Sequence, residues 1–596
     1  MSAEIATRMP EAPAREPGRK TRRVSVEPGY DLKGSDVLVR TLLELGVETI
    51  FGIPGGAIID LCDVTGRYPD LNWILTKHEQ GAVHAADGYA RVTGKVGVVL
   101  VTSGPGATNS VTGIATAFMD SSPVVVLTGQ VPLRMIGNEA FQEVDTIGIT
   151  RPITKHGFLL KTASEVADTL RKAFYIARAG RPGPVVVDMP KDVLAERTDY
   201  EPGEEIVVRG YKPKIFGHAH QISRAAERIS RAKRPVLYIG GGVQKPEAAE
   251  LVRRLAIDNN IPVTSTLMGL GAFPTDHPLW LGMLGMHGTW TANMVMQHAD
   301  LIIAIGARFD DRVTGRLEDF APNAEIVHID IDSSVIGKNV PVDVPIVGDA
   351  YHVLVDLVPL VQPADREEWF EQIAEWQRKH PLRYRHEPGV VKPQYVVEQL
   401  SEVTDGEAIM VTDVGQHQMW VAQYYRFKHP KSIVTSGGLG TMGFGVPAAM
   451  GATVAQQESE HPRPVVAVVG DGGFQMTFSE VITAAAYNLP VKIFVINNGY
   501  LGMVRQWQQL FYSCRYVKTA LYGANPDFAQ VAEAFGARGL VISKPEEVRP
   551  VIEEVMKVDD GPVVVDVRVR ADENVFPMVP AGAALHEMIE EESCGE

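Results

Sequence analysis

PVVAVVGDGGFQMTFSEVITAAAYNLPVKIFVINN, residues 464–498, contains the pattern that decides the fold. Pro464–Val469 and Val491–Ile496 are short runs rich in β-branched residues and predict buried strands, while Ser479–Tyr487 predicts a helix between them. Two strands joined through a helix pair in parallel, because a parallel pair needs a long crossover connection. The same alternation starts near Asp31, so we predict an α/β protein built from doubly wound parallel sheets.

Breaks in this alternation divide the chain into three α/β domains. A charged, proline-containing stretch occurs around Tyr200–Lys214, and a polar helical stretch occurs around Leu357–Trp376. The hexapeptide GPVVVD at Gly183–Asp188 recurs at Gly561–Asp566, which is a weak sign that the first and third domains are duplicates. The predicted division is a disordered extension at 1–30, domains at 31–205, 215–375 and 390–570, and a C-terminal tail at 571–596.

Composition excludes several classes of protein. The 57 Lys and Arg residues against 73 Asp and Glu residues give a net charge of −16, so a nucleic-acid partner is not expected. Cys62, Cys514 and Cys594 lie far apart and predict neither disulfides nor a zinc site. No apolar run is long enough to span a membrane. Residues 1–30 carry six Lys/Arg and four Glu, which is too acidic for an organellar transit peptide and favours a bacterial cytoplasmic location.

The spacing of Gly470-Asp471-Gly472, 24 further residues and Asn497-Asn498 predicts a site. Asp471 and Asn498 would follow two neighbouring parallel strands, and ligands bind at that edge of open α/β sheets. A carboxylate and an amide offer oxygens to Mg²⁺, and the glycines allow close approach of phosphates. The pattern therefore indicates Mg²⁺ with a diphosphate. The alternative is an ordinary strand-helix-strand turn with Asp as a helix cap.

These motifs resemble the thiamin diphosphate enzymes. The resemblance implies a pyrimidine domain, a central FAD-type domain and a diphosphate domain, with Mg²⁺ bound by Asp471, Asn498 and the backbone carbonyl of Tyr500. It implies a cofactor between the first domain of one subunit and the third domain of another, hence a homodimer or a dimer of dimers. Lys77–Arg91 matches the family stretch whose acid, here Glu79, activates the aminopyrimidine. The thiamin diphosphate contacts implied are Pro54, Gly56, Pro105, Asn109, Gly415, Gln416, His417, Gly440, Met442, Asp471, Gly472, Gly473, Asn498, Tyr500, Gly502 and Met503.

Further stretches narrow the resemblance to the acetohydroxyacid synthase (acetolactate synthase) family, catalytic large subunit. They are Phe51–Ala57, Gly129–Glu143, Arg308–Gly315, Gly502–Trp507 and Val575–Pro580. The family decarboxylates pyruvate and joins the two-carbon unit to pyruvate or 2-oxobutyrate, giving 2-acetolactate or 2-aceto-2-hydroxybutyrate for branched-chain amino acid biosynthesis. The resemblance also implies a small regulatory subunit.

Four polar or aromatic residues are implied in handling substrate. Trp507 and Arg312 match residues that select the second 2-oxo acid, with an indole wall for its apolar end and a guanidinium for its carboxylate. Gln142 and Lys191 match polar groups near the reacting carbon or its access channel. Each also has a plainer interpretation: Trp507 as core, Gln142 as a polar helix face, and the two cations as solvated surface charge.

The resemblance implies FAD in the middle domain. A GGG turn after a strand suits phosphate approach but is weak by itself, and a GxGxxG fingerprint for NAD is not cleanly present. A pyruvate oxidase with the same two cofactors is the nearest alternative. Glyoxylate carboligase is a weaker alternative, because that relative lacks the acid that Glu79 supplies here. The catabolic acetolactate synthases work without FAD, so bound flavin would separate them. The implied FAD contacts are Arg181, Gly240, Gly241, Gly242, Thr266, Leu267, Met268, Met286, His287, Gly306, Arg308, Asp330, Ile331 and Asp349.

Overall fold

Three six-stranded parallel sheets form the framework of the described chain. A computed structural model describes residues 26–203, 206 and 208–590. All strand pairs within these three sheets are parallel, and helices cover the sheets. The predicted α/β fold is therefore confirmed. Most of the predicted N-terminal extension, residues 1–25, lies outside the described residues.

The first sheet lies between residues 49 and 190. Its strand order is β3-β2-β4-β5-β7-β6, and β1 and β8 form a separate antiparallel pair. The strands are β1 (Gly29–Lys33), β2 (Thr49–Ile53), β3 (Asn72–Leu75), β4 (Gly97–Val101), β5 (Val124–Gln130), β6 (His156–Leu159), β7 (Val185–Pro190) and β8 (Arg197–Tyr200). The helices are α1 (Gly34–Glu44), α2 (Ile59–Thr65), α3 (Glu79–Thr93), α4 (Pro105–Asn109), α5 (Val111–Met119), α6 (Thr146–Thr150), α7 (Val166–Arg178) and α8 (Lys191–Ala195).

The central sheet has the order β11-β10-β9-β12-β13-β14. This is the doubly wound order: β9 to β11 are added toward one edge of the sheet, and β12 to β14 are added toward the other. Its strands are β9 (Pro235–Ile239), β10 (Val263–Ser265), β11 (Trp280–Met283), β12 (Leu301–Ile305), β13 (Glu325–Asp330) and β14 (Val344–Val347). Its helices are α9 (Ala219–Arg231), α10 (Pro246–Asp258), α11 (Trp290–His298), α12 (Asp311–Thr314), α13 (Ala350–Leu357) and α14 (Glu367–Lys379).

The third sheet has the order β16-β15-β17-β18-β20-β19. Its strands are β15 (Ile409–Thr412), β16 (Ile433–Val434), β17 (Val465–Gly470), β18 (Lys492–Asn497), β19 (Arg538–Ile542) and β20 (Val563–Arg568). Its helices are α15 (Pro393–Val403), α16 (Gln416–Tyr424), α17 (Gly445–Gln457), α18 (Asp471–Thr477), α19 (Glu480–Ala486), α20 (Gly502–Phe511), α21 (Phe528–Ala534) and α22 (Pro545–Val555).

The first and third sheets share one topology. Numbered along the chain from β2 and from β15, both have the strand order 2-1-3-4-6-5. The repeated GPVVVD hexapeptide leads into β7 in one sheet and β20 in the other, which are equivalent strands. In both, its aspartate accepts a hydrogen bond from the neighbouring strand: Asp188 from Thr128 and Asp566 from Asn497.

Helices α3 and α17 bring these two sheets together within the chain. Gly88 of α3 faces the backbone of Ala448, and Gly451 of α17 faces the backbone of Ala85. Small residues at both positions let the helix axes approach closely. The residues of both helices belong to one buried core that continues through β4 and β17.

The division at 31–205, 215–375 and 390–570 stays a prediction, although each of the three sheets falls inside one of these ranges. The segment 571–590 packs against the rest of the chain: Val575 and Met578 are buried, and Val579 donates a backbone hydrogen bond to Met286. No helix in the described ranges is long and apolar enough to cross a membrane.

Candidate functional site

Asp471 lies where the sequence analysis places it, directly after β17. Strands β17 and β18 are adjacent and parallel, with Gly470 opposite Ile496, so Asp471 and Asn498 occupy neighbouring strand ends. Asp471 is buried, and no ion pair to it is found among the described residues. Burial raises the pKa of its carboxyl to about 6. A buried carboxylate without a cation partner fits a metal ligand, because a bound cation would offset the desolvation of its charge.

The two carboxylate oxygens of Asp471 have different surroundings. Oδ2 accepts hydrogen bonds from the backbone N–H of Gly499 at 2.9 Å and from Nδ2 of Asn525 at 2.7 Å. Oδ1 accepts one from the adjacent Gly472 N–H at 3.0 Å. Sequence reasoning missed Asn525, since no motif links this loop residue to Asp471.

Asn498 and the predicted cofactor residue Gln416 contact each other. Nδ2 of Asn498 lies 3.3 Å from Oε1 of Gln416, and Oδ1 of Asn498 accepts a hydrogen bond from the Tyr500 N–H at 2.9 Å. Gln416 is itself fixed by hydrogen bonds to Gln506 Oε1 and to the Glu573 carbonyl, both at 2.9 Å. Carboxylate, amide and carbonyl oxygens at Asp471, Asn498 and Tyr500 form a donor set that suits Mg²⁺.

A second buried carboxylate, Asp413, organises the neighbouring loop and was also missed. It accepts backbone hydrogen bonds from Val414 at 2.6 Å and from Gly443 at 3.0 Å, and burial raises its pKa to about 6. A Cβ on Gly473 would lie 2.8 Å from the Asp413 carboxyl, so glycine is required there. Asp413 thus ties the end of β15 to the loop that carries Gly440 and Met442.

The remaining predicted diphosphate-domain residues surround the same turn. His417 is buried with no partner for Nε2 among the described residues, and burial lowers its pKa to about 3. Gly415 and Gly440 have φ of +155° and +76°. A Cβ on Gly472 would lie 3.6 Å from the Met442 Cε, so Met442 reaches the Asp471 turn. The orphaned imidazole nitrogen and the glycine cradle fit a cofactor with nitrogen and phosphate groups.

Glu79 is the first residue of α3, half-buried and held on one side. Its Oε2 accepts a hydrogen bond from Asn109 Nδ2 at 2.9 Å. The turn that precedes it is fixed from helix α19, because Oε1 of buried Glu480 accepts the N–H groups of Lys77 at 2.9 Å and His78 at 3.1 Å. Four further predicted contacts lie in the segments that follow β2 and β4, and all are exposed: Pro54, Gly56, Pro105 and Asn109.

The four predicted substrate residues are spread over different elements. Gln142 has a φ of +60° and its backbone packs against Gly104, while Lys191 is exposed at the start of α8. Arg312 is 65% exposed and donates a hydrogen bond to Met286 Sδ at 3.0 Å. Trp507 is half-buried on α20, and its ring lies 5.3 Å from that of Phe511.

No hydrogen bond among the described residues joins two members of this set of four. Gly502 and Met503 begin the same helix as Trp507, and Met503 packs on the core of the third domain.

The central glycines make close backbone contacts. A Cβ on Gly240 would lie 2.3 Å from the Gly306 carbonyl oxygen, and Gly306 itself has a φ of +58°. A Cβ on Gly242 would lie 2.6 Å from the Gly306 Cα, whereas Gly241 is exposed with its nearest neighbour Met268 at 3.4 Å. The turns that follow β9 and β12 therefore lie so close together that positions 240 and 242 require glycine. Gly241 has no such close contact, so a ligand could approach it.

Other predicted FAD residues supply polar atoms without partners. Oγ1 of Thr266 and Nδ1 of His287 are buried and unpaired among the described residues, and burial lowers the pKa of His287 to about 4. Asp330 differs, because its Oδ1 accepts a hydrogen bond from the Asp332 N–H at 2.8 Å, and burial raises its pKa to about 6. These groups fit a large polar cofactor. The rest already have protein contacts: Arg181 pairs with Asp332, Arg308 with Asp310, Asp349 with Lys245, and Leu267 packs on the third domain, while Ile331 follows β13.

Comparison with known proteins gives matches in three separate stretches of the chain. Family models for thiamine pyrophosphate enzymes match residues 32–149 (N-terminal TPP binding domain), 222–357 (central domain) and 413–567 (C-terminal TPP binding domain). The acetolactate synthase large subunit of Haemophilus influenzae is 48% identical, covering 94% of this chain and 98% of its own length. The acetolactate synthase isozyme 3 large subunit of Escherichia coli K12 is likewise 48% identical, with the same coverage. The acetolactate synthase of Mycobacterium leprae is 49% identical over 98% of this chain and 93% of its own.

Proposed function

Because this chain belongs to the acetolactate synthase family of thiamine pyrophosphate enzymes, we propose that it decarboxylates pyruvate and transfers the two-carbon unit to a second 2-oxo acid. Pyruvate as the second acid gives 2-acetolactate, and 2-oxobutyrate gives 2-aceto-2-hydroxybutyrate, both leading to branched-chain amino acids. The single observation that carries the proposal is the pairing of Asp471 and Asn498 at adjacent parallel strand ends in a chain about half identical to acetolactate synthases.

The metal and diphosphate would be held at the third sheet. Asp471, Asn498 and the Tyr500 carbonyl would bind Mg²⁺, and the glycines beside Asp471 would admit the diphosphate. Thiamin diphosphate supplies an electron sink for decarboxylation when bound. Asp413 supports this role indirectly, because its contacts with Gly443 fix the loop that presents Met442.

Glu79 would hold the proton that the aminopyrimidine needs. Its contact with Asn109 occupies Oε2, and this supports a role in which Oε1 faces the cofactor. Glu480 supports that role by fixing the backbone before Glu79. Precise placement matters, because misplacing a catalytic group by about 1 Å can lower a rate about 100-fold.

FAD would lie along the central sheet. Gly241 would admit the phosphates, and the unpaired atoms of Thr266 and His287 would hydrogen-bond the flavin nucleotide. We assign the flavin no step in carbon–carbon bond formation.

The second 2-oxo acid would meet Trp507 through its apolar end and Arg312 through its carboxylate. The 65% exposure of the Arg312 side chain supports access to an incoming anion. Gln142 and Lys191 would contribute polar contacts along the approach.

The assembly would be a homodimer or a dimer of dimers, with a small regulatory subunit, in the cytoplasm. The name "large subunit" given to relatives supports the second partner.

The test is to supply the purified chain with thiamin diphosphate, Mg²⁺, FAD and pyruvate, and to measure acetolactate and hydrogen peroxide together. We expect acetolactate without peroxide. Peroxide with oxygen uptake and no acetolactate would instead indicate a pyruvate oxidase and overturn the proposal.

A further inference from the structure

The loop at Leu521–Pro526 carries a side chain that belongs to the metal site without being one of its predicted ligands. We propose that Asn525 is a positioning residue for Asp471: its amide holds Oδ2 so that Oδ1 is presented to a divalent cation. This inference rests on the proposed function, since it assumes that Asp471 is a metal ligand. The contact itself joins Asn525 Nδ2 to Asp471 Oδ2 at 2.7 Å.

The Asn525 amide is fixed on three sides. Nδ2 also lies 3.2 Å from Oδ1 of Asn497, the last residue of β18. Asn497 is held in turn, because its own Nδ2 donates a hydrogen bond to Asp566 at 2.9 Å. Oδ1 of Asn525 accepts a hydrogen bond from Gln475 Nε2 at 3.0 Å. Because both ends of the amide have partners, its orientation is set and Nδ2 is the atom that faces Asp471.

The two carboxylate oxygens of Asp471 differ in how many hydrogen bonds they accept. A carboxylate oxygen has two lone-pair sites. Oδ2 uses both, one for Asn525 and one for the Gly499 N–H at 2.9 Å. Oδ1 accepts one hydrogen bond, from Gly472. A cation that binds this side chain would therefore be bound through Oδ1, and rotation of the carboxylate would break the Asn525 contact.

The loop is tied to the same turn through its backbone. The carbonyl of Gly499 accepts the N–H groups of Leu521 at 2.7 Å and Tyr522 at 3.0 Å, and the Asn525 N–H donates to the Leu521 carbonyl at 3.1 Å. Gly499 thus contacts Asp471 with its N–H and the loop with its carbonyl. Asn525 and Gly499 hold one oxygen from two directions, which is an arrangement that fixes a ligand rather than supplies one.

The experiment measures metal affinity directly. Mn²⁺ replaces Mg²⁺ in the full-length protein with thiamin diphosphate, and free Mn²⁺ is followed by electron paramagnetic resonance. Asn525→Ala should raise the dissociation constant for Mn²⁺ about tenfold, the effect of losing one hydrogen bond to a charged group. It should raise the Mg²⁺ concentration for half-maximal activity by a similar factor. Gln530→Ala, which removes an exposed amide five residues away on α21, should change neither quantity.

The controls separate this inference from the proposed function. If Asp471→Ala loses Mn²⁺ binding while Asn525→Ala binds as the parent does, the role of Asn525 is overturned and the metal site stands. If the parent binds no Mn²⁺, or Asp471→Ala binds it normally, the metal assignment fails and this inference fails with it. If Asn525→Ala lowers the melting temperature of the cofactor-free protein, Asn525→Ser separates lost stability from lost positioning. Its hydroxyl retains a hydrogen-bond donor, so it should weaken Mn²⁺ binding less than alanine does; equal weakening by the two variants would overturn the positioning role.

Discussion

Glu79 is held at one carboxylate oxygen, so its role can be separated from binding. Glu79→Gln keeps an oxygen that can accept from Asn109, but it removes the group that can exchange a proton. We expect turnover to fall by about 10²–10⁴-fold, the usual contribution of a positioned acid or base, with little change in thiamin diphosphate affinity. Steady-state kinetics and a tryptophan-fluorescence titration measure the two quantities.

Asp471→Ala is the matched comparison for Glu79→Gln. It should weaken Mg²⁺-dependent binding of thiamin diphosphate, because a buried ligand is lost. Turnover of Glu79→Gln within twofold of the parent would remove Glu79 from the chemistry. Unchanged cofactor affinity in Asp471→Ala would remove the metal assignment.

Asp188 makes stability depend on pH. Burial, reinforced by the nearby charge of Asp145, raises its pKa to about 7, although Thr128 and Gln130 hydrogen-bond it. An unfolded aspartate has a pKa of about 3.9, so between about pH 4 and pH 7 the native state binds a proton that the unfolded state does not. The free energy of unfolding therefore falls as pH rises through that window, and the stabilisation is lost above pH 7.

Asp188→Asn should abolish this contribution. The difference in melting temperature, variant minus parent, should increase from pH 5 to pH 8. Over the two pH units between pH 5 and the folded pKa of about 7, the corresponding change in the free energy of unfolding is about 3 kcal/mol at most. Asp70→Asn, at an exposed position, is the control. Parallel melting curves for parent and Asp188→Asn across that range would show that Asp188 does not titrate there.

At the scale of elements, the close packing of α3 against α17 requires two glycines, one on each helix, that each face the backbone of the opposite helix. A Cβ on Gly88 would lie 2.1 Å from the Ala448 carbonyl oxygen, and a Cβ on Gly451 would lie 1.8 Å from that of Ala85. Backbone cannot move aside as a side chain can, so either alanine should separate the helices. We expect Gly88→Ala and Gly451→Ala each to lower stability by about 1–3 kcal/mol or more, with a melting temperature roughly 5 °C lower.

Gly66→Ala is the control for this pair, since its Cβ would lie 3.5 Å from the nearest atom, the Asp63 carbonyl oxygen. Differential scanning fluorimetry measures all three variants. Activity should fall with stability, because α3 begins at Glu79 and α17 follows the loop that holds Met442. Equal melting temperatures for Gly88→Ala and Gly66→Ala would contradict the close helix contact.

Strands were easier to predict than site contacts, for a physical reason. A buried parallel strand is a continuous apolar run, and predicted strands such as Pro464–Val469 differ by one residue at each end from observed Val465–Gly470. The placement of Asp471 and Asn498 at neighbouring strand ends followed from the predicted ends of those strands. Asn525 and Asp413 did not, because each acts through a tertiary contact that no periodicity records. Likewise the predicted helix Ser479–Tyr487 omitted the separate helix α18 before it.

At the scale of the whole molecule, the shared topology of the first and third sheets places Glu79 and Asp471 at the carboxyl edges of equivalent sheets. Glu79 begins α3 after β3 in one, and Asp471 follows β17 in the other. Two sheets with the same topology can complete a site either within one chain or between two chains. If the site lies between chains, as the resemblance to thiamin diphosphate enzymes implies, each site of a homodimer combines Glu79 of one subunit with Asp471 of its partner.

Mixing two inactive variants distinguishes these arrangements. A hybrid dimer of Glu79→Gln and Asp471→Ala has one site that lacks both groups and one site that retains both. Since half of randomly assorted dimers are hybrids, co-refolded or co-expressed chains should recover about a quarter of the parent activity. A site within one chain would recover none, because every chain lacks one of the two groups. Doubly substituted chains mixed with parent chains are the control: their hybrid dimers retain no intact intersubunit site, so activity should fall below the proportion of parent chains present.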